Sequence, residues 1–291
     1  DQCGFPPGVL NLVNGAKEAV TSLIKHPDVV GISFVGSSPV AELVYREAAA
    51  RGKRVQALGG AKNFLLVMPD ANREATLEQI MSSAYGCAGE RCLAGATVLT
   101  IGDAHGWVRE GLLERIEGLK LGDGLREDTG MGPVISQAHR EKVLGYIEKG
   151  IAEGADLIAD GRKPQVEGDG YFVGATLFDH VTPDMVIAQE EIFGPVLGLM
   201  PVPDLDAALN VATSHPLANA TSIFTQSGKA AREFKYRVHA SMAGVNIGVA
   251  APMSFFSFGG AKGSFFGDLK GHGRDAFDFF TDKKVVISRW F

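Results

Sequence analysis

The apolar positions change spacing along the chain, and each change marks an element. Ala16, Ala19, Val20, Leu23 and Ile24 share one face at helical spacing, and His26-Pro27 closes that run. Before it, turn signals at Pro6-Pro7-Gly8 and Asn14-Gly15 enclose a short strand expected at Val9 to Val13. Val29 to Val35 is a β-branched and aromatic run suited to a strand covered on both faces. It passes through Gly36-Ser37-Ser38-Pro39 (a glycine turn, a hydroxyl N-cap and a first-turn proline) into a helix over Val40 to Ala50. Strands at Val55 to Leu58 and Phe64 to Met68 then flank Gly59-Gly60. This β-α-β-α-β order predicts a parallel sheet with covering helices.

The second stretch keeps the alternation but changes character. A long helix is expected from Asp70 to Cys87, entered through Asp70 or Asn72, with Glu74 and Glu78 toward its positive end. It delivers Gly86-Cys87-Ala88-Gly89-Glu90-Arg91-Cys92-Leu93, and Ala96 to Ile101 reads as the next strand. Trp107 to Leu119 and Ser136 to Glu153 are amphipathic helices. Gly170 to Val181 and Met185 to Val202 read as strands, the latter broken by Gly194-Pro195. Helices at Asp204 to Ser214 and Ser227 to Val238 alternate with strands at Thr221 to Thr225 and Gly244 to Val249. A tail rich in glycine and phenylalanine leads to a closing strand, Lys283 to Ile287.

Composition narrows the function classes. With 291 residues and 45% hydrophobic content the chain can bury a large core in one or two domains. A net charge of −6 without a Lys/Arg-rich run offers no field for nucleic acid or an anionic membrane, leaving a small molecule as the expected partner. No apolar run reaches the roughly 18 residues needed to span a bilayer. Three cysteines without ligand or CxxC spacing suggest neither a disulfide framework nor a zinc site, and fit a reducing compartment. Seven histidines are scattered, and none is assigned to a metal or a triad. The start at Asp1 rather than Met is read as a chain that begins within a longer protein.

Few residues could carry chemistry. Cys92 can be a nucleophile if Arg91 and backbone N–H groups of the glycine-rich turn favour its thiolate, or else a small buried hydrophobe. Cys87, inside the helical pattern, suits the buried role better. Gly36 and Ser37, between strand and helix, can hold a phosphate or simply cap the helix. Gly59 can admit a ligand close to backbone, or turn the chain. Glu191 can bind a ribose diol while Phe193 packs on a planar ring; the same pair also fits a solvated corner and a core aromatic.

The order of pieces is more specific than any of them. Phe34-Val35-Gly36-Ser37, Leu58-Gly59-Gly60, Gly89-Glu90-Arg91-Cys92, Glu191-Ile192-Phe193-Gly194-Pro195-Val196, Asn246 and Phe258-Gly259-Gly260-Ala261-Lys262 together resemble the aldehyde dehydrogenase superfamily. The resemblance implies an α/β fold: part of a Rossmann-like parallel sheet over residues 1–61, a catalytic α/β domain over 62–258 and a crossover and oligomerisation tail over 259–291. It implies that Cys92 attacks an aldehyde, with its own N–H as one oxyanion donor. Gly36 and Ser37 would meet the phosphate of NAD, Gly59 would lie near its nicotinamide end, Glu191 would take the nicotinamide ribose and Phe193 would pack beside it.

Two departures sharpen this. Hydrolytic members carry Glu immediately before Leu-Gly-Gly to activate water; here the residue is Ala57, which cannot take a proton. Ala57 to Asn63 and the tail from Phe258 to Leu269 resemble the methylmalonate-semialdehyde dehydrogenase branch, whose members pass the acyl group to coenzyme A. Arg91 would then bind the carboxylate of malonate or methylmalonate semialdehyde. Glu90 stands where Gln is usual, and is expected to point away from Cys92. The resemblance further implies a homo-oligomer, dimer or tetramer, that is cytoplasmic in a bacterium or in the mitochondrial matrix in a eukaryote. The upstream asparagine and lysine of the family have no counterpart in the chain. The alternatives are a hydrolytic aldehyde dehydrogenase and a truncated, non-catalytic binding or assembly module.

Overall fold

The structure, a computed structural model, describes residues 3–166 and 168–291. Asp1 and Gln2, at the start of the expected 1–61 unit, lie outside the described residues. The first elements are helix α1 (Lys17–Lys25), strand β1 (Gly31–Val35), helix α2 (Ser38–Ala49) and strand β2 (Arg54–Leu58). Pro39 sits in the first turn of α2, where its missing N–H costs nothing. β1 and β2 pair in parallel. Ile24, Ala41, Val44 and Ala48 from the two helices form one apolar cluster with Val55 and Ala57 of β2. The strand expected at Val9 to Val13 is absent: Val9, Leu10, Leu12 and Val13 are all more than 60% exposed, and no ladder partner lies alongside them among the described residues.

The larger unit follows. Its elements are β3 (Asn63–Val67), α3 (Arg73–Tyr85), β4 (Gly95–Ile101), α4 (Ala104–Glu117), α5 (Gln137–Ala152), β5 (Asp156–Ala159), β6 (Thr176–Asp179), α6 (Val186–Gln189) and β7 (Val196–Val202). They continue with α7 (Leu205–Ser214), β8 (Leu217–Ala218), β9 (Ala220–Phe224), α8 (Gly228–Arg237) and β10 (Met242–Val245). Seven strands form one sheet in the order β10-β9-β3-β4-β7-β6-β5, parallel except for β5 at one edge. Helices cap as the sequence suggests: the side chains of Asn72, Ser136, Asp204 and Ser227 each accept from a backbone N–H three residues on. The central strands are buried end to end, as expected of a sheet covered on both faces.

Two further expectations need correction. Of the strands expected on either side of Gly194-Pro195, only the second, β7, forms; the first is replaced by α6, where the buried Lys62 ammonium donates to the carbonyls of Ile187 (2.6 Å) and Glu190 (3.0 Å). This long-range contact overrides the local β pattern. The helix expected to reach Cys87 stops at Tyr85, because Cys87, Ala88 and Gly89 take left-handed φ values of 51°, 50° and 71°. Lys283 to Ile287, expected to pair across a subunit interface, forms no ladder with the other described residues, and Val285, Val286 and Ile287 are exposed.

The tail joins the two units. It carries β11 (Ala261–Lys262), β12 (Phe265–Phe266) and α9 (Gly273–Phe280). β12 adds antiparallel to β2, and β11 to β8. Between them the buried Ser264 hydroxyl donates to Gly60 O (2.6 Å) and accepts from Ala218 N (3.1 Å), while Ser264 O accepts from Gly59 N (3.0 Å). Ser264→Ala strands a buried carbonyl and a buried N–H, so a loss of about 1–3 kcal/mol is expected. An unchanged urea midpoint would count against Ser264 as the bolt between the units.

Candidate active site

The glycine-rich turn after α3 places Cys92 at the mouth of the larger sheet. The turn is held from two sides. Gly89 is left-handed, and a Cβ there would stand 2.2 Å from Gly194 O, so only glycine lets the 86–92 turn meet the 191–195 loop. On the other side the Cys92 carbonyl accepts from Asn63 Nδ2 (2.9 Å) and Asn219 Nδ2 (2.8 Å). Asn63 also donates to Ala94 O (2.8 Å) and accepts from Ala220 N (3.0 Å), so one buried amide locks β3, β9 and the turn together.

The Cys92 thiol is half-buried and packs with Val249, Ala250 and Phe258 against Leu93, Ala220 and Met242. Burial pushes the thiol above its ordinary range, and the Glu191 carboxylate adds to the rise. The backbone N–H groups of Cys92 and Leu93 pull the other way. The expected help from Arg91 is not there. Its guanidinium turns back over Gly86 to the Ser82 carbonyl, while its Nε is buried without a hydrogen-bond partner. Cys87 is exposed rather than buried, because the helix ends before it.

Glu90 faces away from the thiol, as expected. Its Oε1 accepts from Ile135 N (3.2 Å) and lies 3.2 Å from His139 Nε2. That histidine also bonds Phe193 O at 2.6 Å and meets the Phe193 ring edge-on. Phe193 is left-handed at φ 59° and 36% exposed, so its ring stands at the surface of the loop. Neighbouring Glu191 is half-buried, accepts from Ala61 N (2.9 Å), and is raised in pKa by burial. A Cβ on Gly60 would reach within 2.5 Å of Glu191 Oε2. Lys62, Arg91, Glu191 and Phe193 line one cavity of about 30 Å³. Burial lowers the Lys62 ammonium to about 8.

Gly36 and Ser37 stand at the start of α2. Gly36 N is taken by Leu58 O (3.0 Å), whereas Ser37 is exposed and makes no side-chain capping bond. Ser38, not singled out in the sequence, bridges Gly60 N (3.0 Å) and Gly263 O (2.7 Å). Ala57 belongs to the core packed by α2, so its side chain faces away from the Cys92 unit. Leu58 takes the opposite face of β2. Neither bears a carboxylate, and Glu191 is the ionisable side chain whose charge acts on the Cys92 thiol. Asn63, Asn219, Ser38, Lys62 and His139 went unrecognised as site residues; all act through contacts between distant segments.

A model of the aldehyde dehydrogenase family matches residues 1–286. The chain belongs to that family. It is 50% identical over 291 residues to malonate-semialdehyde dehydrogenase 1 of Oceanobacillus iheyensis, covering 100% of this chain and 60% of that protein. A methylmalonate-semialdehyde dehydrogenase from Oceanimonas doudoroffii superposes with TM-score 0.97 at 46% identity, over 99% of this chain and 60% of the other. A Sinorhizobium meliloti protein provisionally assigned to the same activity, and solved with NAD, also gives TM-score 0.97, at 41% identity over 99% of this chain and 60% of its own. This aldehyde dehydrogenase chain therefore spans about 60% of the length of the curated relatives it matches.

The residues present suit NAD. Ser37 leaves an uncapped hydroxyl at the positive end of α2, Glu191 holds a carboxylate where Gly60 leaves space, and Phe193 exposes a ring. Iodoacetamide is expected to label exposed Cys3 and Cys87 before Cys92 at pH 7.5, with the Cys92 share growing as pH rises. Asn219→Ala should change the Cys92 rate and leave that of Cys87 alone. Peptide mass spectrometry checks both, and Cys92 labelling first would contradict the buried, raised thiol.

Proposed function

We propose that this chain carries the catalytic part of an NAD-dependent, CoA-acylating dehydrogenase for malonate or methylmalonate semialdehyde. The observation that carries the reading is the setting of Cys92: a residue whose carbonyl is held by two buried amides, with no carboxylate at Ala57 or Leu58 to activate water. The names of the relatives support the substrate class. The unpartnered Arg91 Nε supports a carboxylate anchor, since a bound carboxylate oxygen would satisfy a donor now buried without one.

In this reading the Cys92 sulfur adds to the aldehyde carbon, and the new oxyanion is met by the Cys92 N–H. NAD, when bound, supplies the acceptor for the hydride leaving that carbon. Ser37 would meet its phosphate at the start of α2, the Gly36 N–H being already given to Leu58 O, while Gly59 would face the nicotinamide end, Glu191 would take the ribose and Phe193 would flank the ring. The resulting Cys92 thioester is attacked by the thiol of coenzyme A. The C–S bond to Cys92 breaks as the coenzyme A thiol proton passes to the Cys92 sulfur; the C–C bond to the substrate carboxylate breaks to release carbon dioxide or, with water, bicarbonate, a solvent proton takes its place on carbon, and acetyl-CoA or propionyl-CoA departs.

The domain division goes with this function: residues 1–61 complete the cofactor domain, 62–258 are catalytic and 259–291 cross back. The separate apolar clusters on either side of Gly59-Gly60 support it. The exposed Val285, Val286 and Ile287 suit a strand that pairs with another subunit in a dimer or tetramer. Bacterial relatives and three free thiols support the cytoplasm as its compartment. No helix among the described residues is long and apolar enough to cross a membrane.

In the full-length protein, Cys92→Ala should abolish NADH formation while Cys87→Ala leaves it intact. Arg91→Ala should raise KM for the carboxylated semialdehyde by about 10-fold or more, with little change for propanal. Equal KM changes for both aldehydes would remove Arg91 from carboxylate recognition, and an active Cys92→Ala would end the proposal.

A further inference from the structure

At the carboxyl ends of β4 and β6 the sheet gathers three side chains that the sequence keeps apart. His105 lies in the first turn of α4, Asp179 ends β6, and His180 follows it. Their ligand-capable atoms all fall within 4.8 Å of one another. Cys92 precedes β4 and His105 follows it, so the length of that strand separates the cluster from the thiol by about 20 Å.

The two imidazoles stand off the Asp179 carboxylate at ligand-like spacing, while Arg109 and Asp156 hydrogen-bond Asp179 Oδ2 and His180 Nδ1. His105 Nε2 stands 3.4 Å from Asp179 Oδ2, and His180 Nδ1 stands 3.8 Å from the same oxygen. Tetrahedral zinc with bonds of about 2.0–2.1 Å separates its ligands by about 3.3 Å. The surroundings orient the atoms for this role. His105 Nδ1 is 3.0 Å from Thr100 Oγ1; donating there, it leaves the Nε2 lone pair aimed at Asp179. Asp179 Oδ1 is occupied by the His180 backbone N–H at 2.7 Å, which leaves Oδ2 to face the imidazoles. His180 itself is held at φ 51°, a left-handed backbone that histidine adopts at a cost.

Two charged neighbours complete the cluster. Arg109 Nε lies 3.1 Å from Asp179 Oδ2, and Asp156 Oδ2 lies 3.0 Å from His180 Nδ1. Arg109 and Asp156 are 40% and 64% exposed, so an ion would displace the Arg109 hydrogen bond to Asp179 Oδ2 into solvent and take Asp156 as a fourth oxygen. Asp179 is 2% exposed and stays in place. We propose that His105, Asp179 and His180 form a divalent transition-metal site, with Asp156 or water as the fourth ligand. Two imidazoles with one or two carboxylates select zinc, cobalt or nickel over magnesium or calcium. Such an ion ties the β5–β6 edge of the sheet to α4, a structural role separate from the thiol chemistry.

The test is a Co²⁺ titration of the metal-free full chain, followed by visible absorption and by competition with Zn²⁺. One equivalent should bind with the d–d bands of a nitrogen and oxygen site and no sulfur-to-cobalt charge-transfer band. His180→Ala removes an exposed ring and should keep the fold; with His105→Ala it should weaken binding at least 10-fold. Saturating Zn²⁺ should raise the melting temperature of the unsubstituted chain by about 2–4 °C and leave that of His180→Ala unchanged. No Co²⁺ uptake at micromolar concentrations, binding indifferent to both substitutions, or a thiolate band would each overturn the site.

Discussion

The carbonyl oxygen of Cys92 is the point on which the site depends. Two buried amides, from the first residue of β3 and from the residue between β8 and β9, converge on it. Neither is replaceable by water, because both lie inside the sheet unit at 4% and 5% exposure. The turn they hold contains Cys87 and Ala88 in left-handed conformations, which cost about 1–2 kcal/mol each for residues with a Cβ. Such a turn persists only where its surroundings over-determine it. The amide clamp on one side and the Gly89–Gly194 contact on the other supply that determination.

From this anchor the chemistry of the thiol follows by position. Sequence adjacency suggested that Arg91 would lower the Cys92 pKa, yet consecutive side chains in a tight turn diverge, and the guanidinium reaches back to α3. What surrounds the sulfur is apolar, so burial governs its ionisation, tempered by two backbone N–H groups. The same divergence leaves the Arg91 Nε buried without a hydrogen-bond partner. Ala57 is silent for a related reason: strand alternation turns it into the α2 core, and Leu58 on the other face brings no carboxylate either. A thioester formed at Cys92 therefore has no side-chain base at these positions to direct water at it.

Much of the fold was legible because its signals are local. Pro39 at the head of α2, the caps at Ser136, Asp204 and Ser227, and the buried runs of β3 and β9 all announce themselves within a few residues. Cys92, Glu191 and Phe193 stood out by motif order. The parts that were missed are those fixed at long range. α6 exists where Lys62, over a hundred residues away, meets its carbonyls. Asn219 and Ser264 look like ordinary polar residues until the tail and β9 are packed. The His105–Asp179–His180 cluster has no signature in sequence, since its members come from the first turn of α4 and from the end of β6, whose strand is not a sheet neighbour of β4.

The most direct test of a thioester that waits for coenzyme A is a rapid-mixing experiment on the full-length protein with NAD and malonate semialdehyde. Without coenzyme A, NADH should appear as a burst matching the number of sites and then slow sharply, with intact mass showing an acyl group on Cys92 that coenzyme A removes. Steady NADH production at the same rate with and without coenzyme A, and no adduct on Cys92, would contradict it.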